Sequence, residues 1–248
     1  MSRYTKETMR VLVIPDVHLK PWIFERAVDA LKKAAADRAV CLMDIPDDWN
    51  QEYNLDLYSQ TFDAAIDFAE ACPDTLWCWG NHDLSYVWGM METGFSWFAQ
   101  SAAASKLAKL QMALPNIDQL AYVHRIDNVL FCHGGLTEAF ARKYAKPDEY
   151  NDLDAVVHTI NRLDCEEMWN DDSPIWFRPQ YHRDIKMYKQ QEVLQVVGHT
   201  PVKSIERTGN VISCDVFSTY RDGTPIGSQV FPVIDTRRQE ICDLEPAR

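Results

Sequence analysis

The sequence predicts an α/β fold built as a four-layer sandwich, with helices outside two mixed sheets that face each other. Three observations carry this. In the first third, short apolar runs alternate with segments of helical period. In the second half, short strand-like runs are separated by Gly, Asp and Asn turn signals. No low-complexity segment, repeat or linker divides the 248 residues, so 1–248 reads as one domain.

The elements follow in order. Residues 11–15 (VLVIP) are a strand. Ile23, Ala27, Ala30, Leu31 and Ala34 recur at helical spacing, predicting a helix over 22–36. Residues 39–43 (AVCLM) are a second strand. Leu55, Phe62, Ile66 and Ala69 predict a helix over 55–71, and 75–79 (TLWCW) a third strand. A helix is expected from about 95 to 113. Residues 121–125 and 128–132 flank the turn Ile126-Asp127-Asn128, and one or two helices fill 137–168. Strands over 193–197, 202–207, 210–214 and 228–234 complete a second, mixed sheet.

Composition narrows the function classes. The net charge is −12 with no basic patch, which argues against a nucleic-acid binder. No run approaches a membrane span, and residues 1–10 lack the apolar core of a signal peptide. Seven cysteines sit mostly in apolar runs without a CxxC pair, so reduced thiols in a cytoplasmic protein are expected. The acidic cluster at Asp164, Glu166, Glu167, Asp171 and Asp172 reads as a solvated face.

The chemistry lies where the strands stop. Five apolar runs end in metal-ligand residue types: Asp16-Val17-His18; Asp44; Gly80-Asn81-His82-Asp83; His133-Gly134-Gly135; and Gly198-His199-Thr200-Pro201. Loops at one end of a layered sheet form active sites. In Asp16-x-His18 an extended chain puts both side chains on one side, so both can grip one ion. Carboxylate with imidazole suits manganese, iron or zinc. A carboxylate such as Asp44 can bridge two ions, and two ions together clamp a phosphate and activate water.

These ordered motifs, with Asp44-x-x-Asp47, resemble the calcineurin-like metallophosphoesterases, nearest the branch of serine/threonine phosphoprotein phosphatases of bacterial and phage type. The resemblance covers residues 16–201, about three quarters of the chain. It implies two divalent metal ions, manganese first and iron or zinc as alternatives. One ion would take Asp16, His18 and the bridging Asp44; the other Asp44, Asn81, His133 and His199. A hydroxide bridging the ions would attack phosphorus. His82 would protonate the leaving oxygen, with Asp47 pairing to it and raising its pKa. Asn81 and Arg178, in the segment Trp176-Phe177-Arg178-Pro179, would bind the substrate phosphate. The expected function is hydrolysis of a phosphomonoester, on a phosphorylated protein or a small phosphoester. A dinucleoside polyphosphate or nucleotide hydrolase is the alternative, and a catalytically weak binding module on the same fold is the reading of another class.

Three positions depart from the family pattern. Met43 stands where the family has glycine, Leu19-Lys20 replaces a glycine, and Asp48 stands where an arginine grips phosphate. An acid there repels phosphate unless it points away. His124, His158 and His182 carry no motif; core or surface is expected, with His182 near the substrate rim. Trp77 and Trp79 read as core. Trp88, beside the Gly89–Gly94 loop, is the one aromatic placed at a substrate pocket.

Overall fold

A computed structural model describes residues 8–247, so residues 1–7 of the segment read for a targeting signal lie outside them. The first three strands are β1 (Arg10–Ile14), β2 (Arg38–Cys41) and β3 (Leu76–Cys78). They are joined through α1 (Trp22–Lys33) and α2 (Leu55–Ala71) and lie parallel. Alternation sorts their side chains. Leu12 and Ile14 face the helices, against Ile23 and Phe24 of α1 and Phe62 and Phe68 of α2. Val11 and Val13 face the other way, against Phe131 and Val196 of the second sheet. The second sheet repeats the pattern. Leu130 and Cys132 of β6 (Val129–Cys132) pack under α5 (Glu138–Tyr144), α6 (Leu153–Ile160) and α7 (Cys165–Met168), while Val129 and Phe131 fill the space between the sheets. The four-layer arrangement is therefore set by strands apolar on both faces.

The sheets are mixed, but membership differs from expectation at three places. The run 228–234 forms β10 (Val230–Asp235), which pairs antiparallel with β1 in the first sheet instead of joining the second. It brings with it β11 (Glu240–Pro246), an edge strand too exposed to show as an apolar run. The run 121–125 is divided. β4 (Leu120–Ala121) extends the first sheet, and β5 (Val123–Ile126) opens the second. At the break, Tyr122 N donates to Asn161 Oδ1 (3.1 Å), so the chain changes sheets without an orphaned amide. The second sheet runs β5-β6-β7-β9-β8, with β7 (Leu194–Val197), β8 (Glu206–Thr208) and β9 (Val211–Ser213). Two α-helices remain among the described residues: α3 (Asn81–Trp88), which the sequence pattern does not predict, and α4 (Gln100–Ala113). No helix among the described residues is long and apolar enough to cross a membrane.

His124 ties the two sheets. Its Nε2 lies 3.0 Å from the Trp77 carbonyl of β3 and 3.1 Å from that of Gln119, so it carries the proton donated to them. Burial drives this imidazole down to about 4 from its ordinary 6.5. The unfolded chain therefore takes up a proton as pH falls below 6.5, whereas the folded chain resists until about 4. Stability present at neutral pH is lost across that window, by about 3 kcal/mol at its lower end. In urea melts of metal-free protein, His124→Gln is expected to remove this slope while lowering stability at pH 7. His158 is exposed on α6. His182 is exposed, stacks on Phe177, and lines a cavity of about 380 Å³ that meets the cleft of the site below at Pro201.

Candidate metal centre and active site

The ligand-type residues sit where the parallel strands end. The loops after β1 and β2 continue the ladder beyond the strands: His18 N donates to Asp44 O (2.8 Å) and Leu19 N to Ile45 O (3.0 Å). Their backbone is left-handed at His18 (φ 44°), Leu19 (55°), Met43 (58°), Asp44 (44°) and Asp47 (65°), and His199 matches them (61°). Each such residue costs about 1–2 kcal/mol, and strain gathered at one spot is a mark of function. Met43 takes this conformation where glycine would be unstrained, and its side chain is fully buried against the helical layer. That burial, worth about 1.5–3 kcal/mol, offsets the backbone cost.

Two glycines make room for carboxylates. A Cβ on Gly80 would lie 2.0 Å from Asp44 Oδ1, and one on Gly198 would lie 2.0 Å from Asp16 Oδ1. Gly198→Ala is therefore expected to displace Asp16, lower stability by about 1–3 kcal/mol, and weaken manganese binding at least tenfold. Thermal melts with and without manganese check this; wild-type behaviour in both would show that Asp16 moves freely.

The protons decide whether these side chains fit cations. His133 Nδ1 donates to the Leu42 carbonyl (2.8 Å), which leaves the Nε2 lone pair facing inward. Asp44 Oδ2 (3.0 Å), Asn81 Oδ1 (3.0 Å) and His199 Nδ1 (3.2 Å) surround that nitrogen. Four electron-rich atoms thus converge in a buried space. Without a cation they hold together only by taking up protons. Burial opposes a charge on His133, but Asp44 and Asp16 hold it up at about 9. Metal would replace those protons. A second group lies alongside. His18 Nδ1 is 2.9 Å from the Asp47 carbonyl, and its Nε2 lies 3.9 Å from Asp44 Oδ2. Burial pulls this imidazole down, toward the neutral form a metal needs. The ligand atoms of His18, Asp44 and His82 fall within 4.8 Å of one another, as do those of Asp44, His133 and His199. Asp44 is shared by both groups. Asp16 stands slightly apart: Oδ2 accepts from His199 N (2.8 Å), and buried Oδ1 has no partner. The donor set fits two cations flanking Asp44.

His82 opens α3, next to Asn81. Its Nδ1 lies 2.9 Å from Asp47 Oδ2. Burial would lower the imidazole, but Asp44, Glu92 and Asp47 outweigh it and hold it up at about 10. Asp47 Oδ1 accepts from Tyr58 and Tyr86 hydroxyls, both at 2.5 Å. Tyr86 follows His82 by one helical turn, a signal that becomes visible once α3 is recognised. Glu92, also unmarked in the sequence, accepts from Asn81 Nδ2 (2.6 Å). Asp215 ends the apolar run of β9 as the other site residues end theirs, and is buried with Ser218 Oγ donating to it (2.9 Å).

A cleft of about 580 Å³ opens onto these groups, with Arg178, Asp48, Trp49, Phe95 and Trp176 in its walls. Arg178 donates to the His199 carbonyl and to Thr200 Oγ1 (3.2 Å), so it is anchored to the loop that carries His199. Asp48 does not present a free charge. Lys20 Nζ lies 2.9 Å from Asp48 Oδ2 and also donates to the His18 carbonyl (2.9 Å), while Thr219 Oγ1 donates to Oδ1 (3.0 Å). Two departures from the family pattern, Lys20 and Asp48, thus neutralise each other. Trp88 is absent from the cleft lining; it packs on Trp169 and Tyr122.

The sequence model of the calcineurin-like phosphoesterases matches residues 9–220. No curated protein matches the sequence. Among solved structures, a cold-active protein-tyrosine phosphatase of the psychrophile Shewanella sp. aligns over 92% of this chain and 75% of its own, at 17% identity and TM-score 0.56. The protein TT1561 of Thermus thermophilus aligns over 97% of this chain and 100% of its own, at 10% identity and TM-score 0.50. An archaeal phosphodiesterase aligns over 94% and 96%, at 12% identity and TM-score 0.43. At these identities the first two structures show the fold alone. The family typically binds two divalent metals and hydrolyses phosphoesters. With its sequence match running through both sheets and the whole ligand cluster, the chain belongs to the calcineurin-like phosphoesterase family and is a metal-dependent phosphoesterase.

Proposed function

We propose that the chain is a phosphomonoesterase acting on phosphorylated Ser or Thr in a protein, with manganese as the preferred metal and iron or zinc able to replace it. The observation that carries this reading is the Asp44 carboxylate at the junction of two ligand groups, with the His82–Asp47 pair beside it. Asp16, His18 and Asp44 would hold one cation; Asp44, Asn81, His133 and His199 the other. Such a pair polarises the phosphoryl group and lowers the pKa of water.

The protein's own groups supply the rest. Asp47, held on one oxygen by two tyrosines, accepts the hydrogen bond of His82 Nδ1–H and fixes the ring. The other ring nitrogen is left to deliver a proton to the leaving oxygen. Arg178, fixed through His199 O and Thr200, and the Asn81 amide bind phosphoryl oxygens. With Asp48 neutralised by Lys20, Arg178 is the cleft's phosphate-binding arginine. The free cysteines accord with a reducing compartment, and we place the enzyme in the cytoplasm.

The volume of the cleft, about 580 Å³, and its walls of Trp49, Phe95 and Trp176 favour a second reading, a dinucleoside polyphosphate or nucleotide hydrolase. One assay separates them: manganese-loaded protein with an aryl phosphate, a phosphoserine peptide, an aryl phosphodiester and a dinucleoside tetraphosphate. The proposal expects the highest kcat/KM on the phosphopeptide. Preference for the tetraphosphate would replace it with the second reading, and no turnover of any substrate would leave a binding module.

A further inference from the structure

Glu92 places a carboxylate in the part of the cleft where a phosphoryl group has to sit. It belongs to the segment between α3 and α4, and its side chain is only 9% exposed. Its Oε1 lies 2.6 Å from Asn81 Nδ2 and 3.0 Å from His82 Nδ1. Neither neighbour needs it for orientation. The Asn81 amide is already directed by Oδ1 on His133 (3.0 Å), which turns Nδ2 outward. The His82 ring already has Asp47 at 2.9 Å. The carboxylate therefore satisfies the Asn81 donor that faces the cleft and sits against the His82 imidazole, with the anionic oxygen chemistry of a phosphoryl group. The segment bearing it is packed on the site. Gly94 lies so close that a Cβ there would be 3.4 Å from Asp47 Cβ and 3.7 Å from His82 Cε1. Beyond it the chain is anchored, with Ser96 N donating to Tyr86 Oη (2.8 Å). Glu92 lies between Gly89 (φ 67°) and Gly94 (φ 94°), where the backbone can pivot.

We propose that Glu92 fills the phosphoryl seat of the substrate-free enzyme, so that a phosphoester binds only by displacing it from the Asn81 amide and from beside the His82 ring. This rests on the phosphoesterase reading of the same site, and it sets how tightly a ligand has to bind to open the seat. The competition divides every ligand's affinity by the same factor, the inverse of the open fraction. Ligands of low intrinsic affinity fall out first. Inorganic phosphate and small esters bring only their own oxygens, whereas a larger substrate adds contacts to Trp49, Phe95 and Trp176. Glu92 thus raises KM for every phosphoester and the inhibition constant of the phosphate product together, so that at a given concentration the ligands that stay bound are those with contacts beyond the phosphate.

The test is calorimetric titration of manganese-loaded protein with inorganic phosphate, alongside KM and kcat for an aryl phosphate. Glu92→Ala is expected to bind phosphate roughly tenfold tighter, matching an open fraction of about 0.1 in the parent, and to lower KM. Glu92→Gln, which keeps the shape without the charge, should show the same direction with a smaller change. Met91→Ala, an exposed neighbour, should match the parent. Unchanged or weaker phosphate binding in both Glu92 variants, with a fall in kcat, would overturn the proposal and make Glu92 a positioning residue for His82. Phosphate binding is read without turnover. A protein that hydrolyses nothing, yet binds phosphate more tightly after Glu92→Ala, would refute the phosphatase reading and leave the role of Glu92 standing.

Discussion

Asp44→Asn is expected to lower turnover by between two and four powers of ten and to abolish binding of at least one of two manganese ions. The substitution keeps the shape of the side chain and an oxygen for the His82 amide, which Asp44 Oδ1 accepts at 3.0 Å. What it removes is the one negative charge common to both ligand groups. Taking a charge from a buried ionic cluster costs about 3–5 kcal/mol, and each 1.4 kcal/mol is about tenfold in rate. Equilibrium dialysis against manganese and steady-state rates on the same sample check both halves. A variant that keeps two ions and full turnover would show that Asp44 does not bridge them.

His82→Asn is expected to separate chemistry from metal binding. His82 falls within the ligand group of His18 and Asp44, yet its ring is held by Asp47 and its role in this account is proton delivery. Loss of a general acid costs roughly 10²–10⁴ in kcat. The cost should depend on the leaving group: large for an alkoxide such as serine, and small for a nitrophenolate that departs without a proton. Manganese stoichiometry should remain that of the parent. Asp47→Asn should give a weaker form of the same pattern, since the ring remains but its partner no longer carries charge. A loss equal for both leaving groups, accompanied by loss of metal, would assign His82 to the metal shell.

The parts of this architecture legible in the sequence are those encoded locally. α2 runs over the residues its apolar spacing marks, Leu55–Ala71, capped by the Asn54 side chain on Leu57 N. The strand ends announce themselves because a polar residue that terminates a buried apolar run needs a reason to be there. Sheet membership is not local. β10 is as apolar as any strand of the second sheet, and what assigns it to the first is pairing with β1, more than two hundred residues earlier. The break at Tyr122 depends on the Asn161 side chain, which no pattern around 121–125 reveals. The same limit applies in the site. Asp48 looks repulsive until Lys20 is seen beside it, and the placement of Glu92 over Asn81 depends on a loop whose path is set by Gly94 and Ser96. α3 escapes the pattern because its first turn is made of Asn81, His82 and Asp83, polar residues with a role at the strand end. Asp83 accepts from the amides of Asp44 (2.8 Å) and Ile45 (3.1 Å) and so ties the helix to the β2 loop.

The central claim is a pair of cations flanking Asp44, and diffraction from manganese-soaked crystals at the manganese absorption edge tests it most directly. The account predicts two anomalous peaks about 3.5–4 Å apart, one beside Asp16, His18 and Asp44 and the other beside Asp44, Asn81, His133 and His199. A single peak, or peaks elsewhere in a protein that hydrolyses phosphoesters at full rate, would contradict it.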